Sequence, residues 1–291
     1  MNIGLLHPGD MGARVGAVLQ GAGHTVRWLP SGRSQATHER ARVAGLEAAH
    51  SLQALCGCCE LILCICLPRH APQVAADVID QGFQGIYVDA NAISPALAVS
   101  LAQRMAARDI EFVDGAITGP PPERFGTTRV FLSGHQAVAV AACFEGTALE
   151  GVVLGEEVGR ASALKLSDSL VNKGVLALLY QSLAAAEHLG VRESLMAHWM
   201  RYPPRSTAGV NLASNRLLRG LHKAPRFADE MGEIAAALHN ADLSSVLATG
   251  AQNVFARLAA APTDGTLASD ETVVNALRSL VDPVPPSRPD H

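Results

Sequence analysis

Asn2-Ile3-Gly4-Leu5-Leu6-His7-Pro8-Gly9-Asp10-Met11-Gly12 opens the chain, and its order decides the fold. An apolar run gives way to a glycine-bearing turn, after which Arg14, Val15, Val18 and Leu19 continue a helical pattern. That succession predicts a strand, a phosphate-cradling turn and a helix N-terminus whose free N–H groups and dipole favour negative charge. Gly9 lets the backbone approach a pyrophosphate, and Gly12 lets the helix pack on the strand. The full fingerprint, Gly-x-Gly-x-x-Gly, carries glycine where His7 stands. The helix runs on to Gly21-Ala22-Gly23, and Thr25-Val26-Arg27-Trp28-Leu29 reads as a second strand, which is the βαβ spacing of a dinucleotide site.

The end of the second strand selects the dinucleotide. An acid there would hydrogen-bond the ribose 2′-hydroxyl and repel a 2′-phosphate. This chain has Ser31-Gly32-Arg33-Ser34 instead, a guanidinium flanked by hydroxyls and suited to a bidentate phosphate contact. The expected cofactor is therefore NADP(H), with NAD(H) as the alternative; the competing reading is a polar surface loop with a solvated arginine. Asp10, Met11 and Leu67 complete the expected cofactor contacts beside Gly9, Gly12, Ser31, Arg33 and Ser34.

With 291 residues the chain suits two domains, and 48% hydrophobic content excludes a disordered class. A formal charge of −4 without a basic stripe argues against nucleic acid as a partner. No apolar run reaches the roughly 20 residues of a membrane helix, and no charged segment precedes an apolar signal region, so the expected setting is cytoplasmic, away from membranes. Six cysteines include a C-x-x-C, Cys56 and Cys59, with Cys58, Cys64 and Cys66 nearby. Cys64 and Cys66 fall in the run Glu60 to Pro68, which reads as a buried parallel strand where cysteine behaves as a small hydrophobe. No second C-x-x-C or histidine pair completes a zinc set, so no metal is expected, with redox or metal chemistry as the lesser alternative.

Strand-like runs recur at Asn2 to Leu6, His24 to Leu29, Leu61 to Leu67, Gly85 to Asp89, Phe112 to Ala116 and Arg129 to Ser133, with mostly helical patterns between. This alternation predicts an α/β fold with a doubly wound parallel sheet. After Gly155 to Gly159 the pattern turns helical: Arg160 to His188, long enough to join two domains, then Arg192 to Met200, Val210 to Leu221, Phe227 to His239 and Leu243 to Ala261. Tyr202-Pro-Pro, Lys223-Ala-Pro and a Pro262-Thr-Asp-Gly loop separate these helices. The expected domains are a dinucleotide-binding Rossmann domain over 1–158, an all-helical substrate and dimerisation domain over 159–281, and a frayed proline-rich tail over 282–291.

Four landmarks follow in order: Gly4 to Gly12, Val88-Asp-Ala-Asn91-Ala-Ile-Ser94-Pro95, Asp114-Gly-Ala-Ile-Thr118-Gly119, and Gly159-Arg-Ala-Ser-Ala-Leu-Lys165. Together they resemble the β-hydroxyacid dehydrogenase family, which includes 3-hydroxyisobutyrate and 6-phosphogluconate dehydrogenases. The C-terminal part, with Lys223-Ala-Pro-Arg-Phe-Ala-Asp-Glu230-Met-Gly-Glu233, resembles a less characterised helical domain of some members. The resemblance implies hydride transfer between a nicotinamide and a small hydroxy acid or its oxo counterpart, and at least a homodimer. It assigns Lys165 as general acid and base, since removing an alcohol proton as hydride departs needs a group whose pKa burial and a nearby cation can pull toward neutrality.

Around Lys165 the chain departs from the family. Members write Lys-x-x-x-Asn, extended in 6-phosphogluconate dehydrogenases to Lys-x-x-x-Asn-x-x-Glu-Tyr-Gly; here Ser169 replaces the asparagine and Asn172 the glutamate. Ser169, one turn beyond Lys165, can reach a substrate oxygen on the same face. The substrate loop, Ser-Gly-Gly in the family, reads Thr118-Gly119-Pro120-Pro121-Pro122. Thr118 keeps the hydroxyl and Gly119 the donor, but the prolines have no N–H, so Arg124 is the cation expected to assist carboxylate binding. A rigid proline turn is the competing reading. Asn91 follows a strand at the ligand-binding edge and is expected at the nicotinamide ribose or substrate, whereas Ser94-Pro95 reads as a helix cap. Imine reduction and a non-catalytic NADP(H) sensor are the alternative functions; retention of Lys165 opposes the first, and the altered loops motivate the second.

Overall fold

The computed structural model describes residues 1–202, 220–261 and 270–281. The chain divides into two compact units, Met1–Ser167 and Asp168–His291. The division falls inside the long helix, past the expected 158/159 junction, so that the first turns of this helix belong with the sheet.

The first unit runs β1 (Asn2–Leu6), α1 (Asp10–Gly21), β2 (Thr25–Trp28), α2 (Gln35–Val43), β3 (Glu47–Ala48), α3 (Leu52–Cys58), β4 (Leu61–Cys64), a 3-10 turn Pro68–His70, α4 (Ala71–Asp80), β5 (Ile86–Asp89), α5 (Pro95–Ala106), β6 (Glu111–Thr118), β7 (Thr128–Ser133), α6 (Ala137–Ala142), β8 (Leu149–Val153) and the start of α7 (Arg160–His188). The sheet order is β3-β2-β1-β4-β5-β6-β7-β8. The chain winds outward from β1 to β3, returns to β4 beside β1, and proceeds the other way. That reversal is the switch point where open α/β sheets bind ligands.

Both faces of the sheet are covered because successive strand residues point to opposite sides. Leu61 and Leu63, Val88 and Val113 enter one core with Val15 and Leu19 of α1. Ile62 and Cys64, Tyr87 and Phe112 enter the other with Leu55, Val78 and Leu101. Serine hydroxyls start three helices: Ser34 accepts from Thr37 N–H, Ser51 from Ala54 N–H and Ser94 from Leu97 N–H.

Three sequence expectations need correction. The sheet is not wholly parallel, since β7 runs antiparallel to β6, pairing Thr118 with Arg129. No helix fills the segment between them, and a connection without a crossover returns antiparallel. β3 and β8 lie outside the expected set; β8 carries Gly151, whose added Cβ would stand 3.1 Å from the Ala141 backbone, and that glycine interrupts the apolar pattern. The Leu61 to Leu67 run stops as a strand at Cys64, because the Asn91 side chain takes the Cys66 N–H.

The second unit holds the rest of α7, then α8 (Arg192–Arg201), α9 (Ala224–Asn240), α10 (Val246–Ala260) and α11 (Asp270–Arg278). Tyr180 of α7, Met231 of α9 and Phe255 of α10 are fully buried in it. Phe255 meets the Tyr180 and Phe227 rings edge-on, at 6.4 and 5.3 Å between centroids. Glu230 of α9 is buried and binds Lys173 of α7 at 2.6 Å and Arg226 at 2.8 Å. The expected helix over 210–221, the 262–265 loop and the tail from 282 lie wholly or almost wholly outside the described residues. Among the described residues, no helix is long and apolar enough to cross a membrane.

Candidate dinucleotide and substrate site

The turn after β1 takes the form its glycines require. An added Cβ on Gly12 would stand 2.8 Å from the His7 carbonyl oxygen, so only glycine lets α1 approach β1 this closely. An added Cβ on Gly9 would meet nothing within 4 Å. Gly9 is the N-cap of α1 and makes no side-chain cap, which leaves the first-turn N–H groups suited to an anion. His7 adopts the left-handed φ of 65° that glycine supplies without strain in the family fingerprint.

The predicted cofactor residues gather around this turn unevenly. Asp10 is exposed at the start of α1, and its charge is met by Arg40 at 3.3 Å. Met11 packs against the core. Ser31 is exposed, and Arg33 is half-buried with its Nε lacking a hydrogen-bond partner among the described residues. Such an orphaned donor fits a phosphate oxygen. Ser34 spends its hydroxyl on the α2 cap. Leu67 is partly exposed and precedes the 3-10 turn after β4. Beside these residues a cleft of about 460 Å³ is lined by Asp10, Arg14, Arg40, Val43, Pro121 and Glu123, and an Arg14–Glu123 pair at 3.0 Å crosses it.

Lys165 stands on the first turns of α7 and donates from Nζ to the Ile117 carbonyl at 2.8 Å. That contact brings it to the carboxyl end of β6, next to Thr118 and Gly119. Gly119 has φ +102°, and an added Cβ would reach within 2.2 Å of the Thr127 oxygen, so the glycine answers to the close return of the chain as well as to any ligand. The proline segment is pinned where Thr128 Oγ1 donates to the Pro120 carbonyl at 2.6 Å. Arg124 is exposed. Ser169 lies one turn past Lys165, buried, with no hydrogen-bond partner for its hydroxyl among the described residues. Asn172 is exposed and donates to the backbone and side chain of Asp168, one turn back in the same helix.

Asn91 is 4% exposed and used within the protein. Its amide nitrogen donates to Asp89 Oδ1 at 2.9 Å and to Cys64 Sγ at 3.5 Å, while its oxygen accepts from Cys66 N–H. It therefore ties the end of β5 to the end of β4. Burial pushes the Asp89 carboxyl up to about 7, against the two hydrogen bonds from Asn91 that favour its charge.

Asp114 escapes sequence reasoning as a site residue although it begins a quoted motif. Its Oδ2 accepts from the N–H groups of Gly159 and Ser162, each at 3.0 Å, and from Ser133 Oγ at 3.1 Å; its Oδ1 accepts from Ser162 Oγ at 2.6 Å. A buried anion thus holds the N-terminus of α7 against β6. The 48-residue separation hides the contact, since no local spacing reports it.

The strand reversal beside an uncapped, glycine-fed helix defines a Rossmann-type dinucleotide-binding fold. Residues 2–149 match the family model described as the NAD binding domain of 6-phosphogluconate dehydrogenase, and the chain belongs to that family. Residues 186–258 match a domain of unknown function, DUF1932. The mitochondrial 3-hydroxyisobutyrate dehydrogenase of Drosophila melanogaster is 26% identical over 265 residues, spanning 87% of this chain and 78% of that protein. A conserved protein of unknown function, whose structure is described as similar to 3-hydroxyacid dehydrogenases, is 29% identical over 89% of this chain and 96% of its own, with a TM-score of 0.63. An imine reductase from Myxococcus stipitatus in complex with NADP+ shares the fold, at 20% identity, 89% and 93% coverage and a TM-score of 0.59.

Proposed function

We propose that this chain is an NADP(H)-preferring oxidoreductase acting between a small β-hydroxy acid and its oxo counterpart, with Lys165 as general acid and base. The observation that carries the reading is the 2.8 Å bond from Lys165 Nζ to the Ile117 carbonyl, which sets a proton-carrying group at the ligand-binding end of the sheet. The N-terminus of α1 and Gly9 would hold the pyrophosphate and Arg33 the 2′-phosphate, with Met11, Ser31 and Leu67 lining the approach. When bound, the nicotinamide would supply or accept the hydride. Lys165 takes the hydroxyl proton in oxidation and returns one to the same oxygen in reduction. Thr118 and the Gly119 N–H hold the carboxylate, Arg124 supplies the charge that the proline segment cannot, and Ser169 binds a substrate oxygen. Asn91 keeps the strand ends in register, and Asn172 orders the helix surface.

The test is Lys165→Met, assayed on a panel of hydroxy acids and titrated with NADPH and NADH. Turnover is expected to fall by about 10²–10⁴-fold. NADPH is expected to bind the variant as it binds the parent, and more tightly than NADH. Unchanged turnover removes Lys165 from the mechanism. A parent protein that binds NADPH but reduces only imines belongs to the imine-reducing class, and one that turns over neither substrate is a sensor.

A further inference from the structure

We propose that His7, Cys64 and Cys66 form a binding site for a thiophilic divalent cation of the zinc class at the switch point between β1 and β4. Their ligating atoms all lie within 4.8 Å of one another, and among the described residues no other group of three His, Cys, Asp or Glu side chains converges in this way. The two sulfurs are 3.7 Å apart. Sulfurs bound at about 2.3 Å to a tetrahedral zinc are separated by roughly 3.75 Å, so the pair already has the bite the ion needs. Two thiolates and an imidazole select a soft cation over magnesium or calcium.

The backbone supports the same reading. Leu6 pairs with Cys64 in the β1–β4 ladder, so His7 and Cys66 leave adjacent strand ends side by side. His7 occupies the left-handed slot of the phosphate turn, a conformation that glycine would adopt without strain. The imidazole retained there has Nδ1 buried without a hydrogen-bond partner among the described residues. Asn91 orients both cysteines, through Cys64 Sγ and the Cys66 N–H, as outer-shell groups do around metal ligands.

A disulfide is the other chemistry open to two neighbouring thiols, and the surroundings disfavour it. Cys64 is fully buried, which withholds its sulfur from the oxidant or attacking thiol that disulfide formation requires. On cation binding each thiol releases its proton to solvent as its metal–sulfur bond forms. Uptake therefore strengthens as pH rises. None of this depends on the substrate or direction of the hydride transfer.

The experiment titrates the reduced full-length chain with Zn²⁺ alone, and with Co²⁺ to record thiolate-to-metal charge transfer. One equivalent per chain is expected, with the cobalt charge-transfer band present. Cys66→Ser and His7→Gly should each weaken binding by at least about tenfold; glycine also accepts the turn's positive φ, so the second variant keeps its fold. Cys58→Ser should bind as the parent does, because Cys58 lies in the separate Cys56–Cys59 group. The proposal is overturned if the parent takes up no metal after reduction, if the Cys66 and His7 variants bind undiminished, or if Cys58→Ser abolishes uptake.

Discussion

At Asp114 one buried carboxylate receives the N–H groups of Gly159 and Ser162 and the hydroxyls of Ser133 and Ser162. This side chain touches neither Lys165 nor the glycine turn, yet it fixes where α7 begins and hence where Lys165 stands. In Asp114→Asn the amide keeps the volume but loses the charge and sets N–H against N–H at one oxygen position. The expected result is a loss of about 1–3 kcal/mol in urea unfolding, together with a fall in turnover larger than any change in NADPH affinity. Equal loss of cofactor affinity and turnover would mean that Asp114 supports the whole unit rather than positioning Lys165. Residue-level features governed by neighbouring atoms were legible beforehand: Ser94 does cap α5, as Ser-Pro after a strand implies. The partners of Asp114 at Ser133, Gly159 and Ser162, and those of Asn91 at Cys64 and Cys66, were not, because they come from elements well separated in the chain.

Among the elements, α7 and α9 are joined by a charge cluster inside an otherwise apolar helical unit. Burial raises the Glu230 carboxyl, but attraction to Lys173 and Arg226 and their hydrogen bonds outweigh it and hold the group below its ordinary value of 4.5. A carboxylate depressed in the folded state contributes stability above its unfolded pKa, and that contribution is lost as pH falls through the folded one. The helical unit should therefore weaken below about pH 4.5. Glu230→Gln, which leaves Lys173 charged and mostly buried, should cost about 3–5 kcal/mol at neutral pH and flatten the acid limb of unfolding followed by circular dichroism. A variant as stable as the parent would show that the cluster is neutral to stability. Elements with long, strong patterns were readable from sequence, α7 over Arg160–His188 among them; the two-residue β3 and the glycine-broken β8 carry too short a signal to be seen.

For the whole molecule, the question open to measurement is assembly. On α7, Val171 and Leu178 are 65% and 68% exposed one heptad apart, and Val246 and Leu247 of α10 are exposed as well. We propose that a second copy covers these exposed side chains, in the homodimer that the family resemblance implies. Sedimentation is expected to give twice the chain mass, and Val171→Glu with Leu178→Glu should return it to the monomer. A monomeric parent at working concentration would end that proposal.

Sequence by itself determined the α/β class, the dinucleotide turn and the helical C-terminal part, because each is written in short-range pattern: period, glycine placement, capping residues and spacing within one unit. Tertiary structure alone decided the antiparallel return of β7, the anion that anchors α7, the service of Asn91 as a tie between strand ends, and the meeting of His7 with Cys64 and Cys66. Apart from the β7 return, which a short helix-free connection sets, these arise where elements far apart in the chain end side by side. The order in which a sheet brings strands together depends on packing across both its faces, and no local run of residues records it.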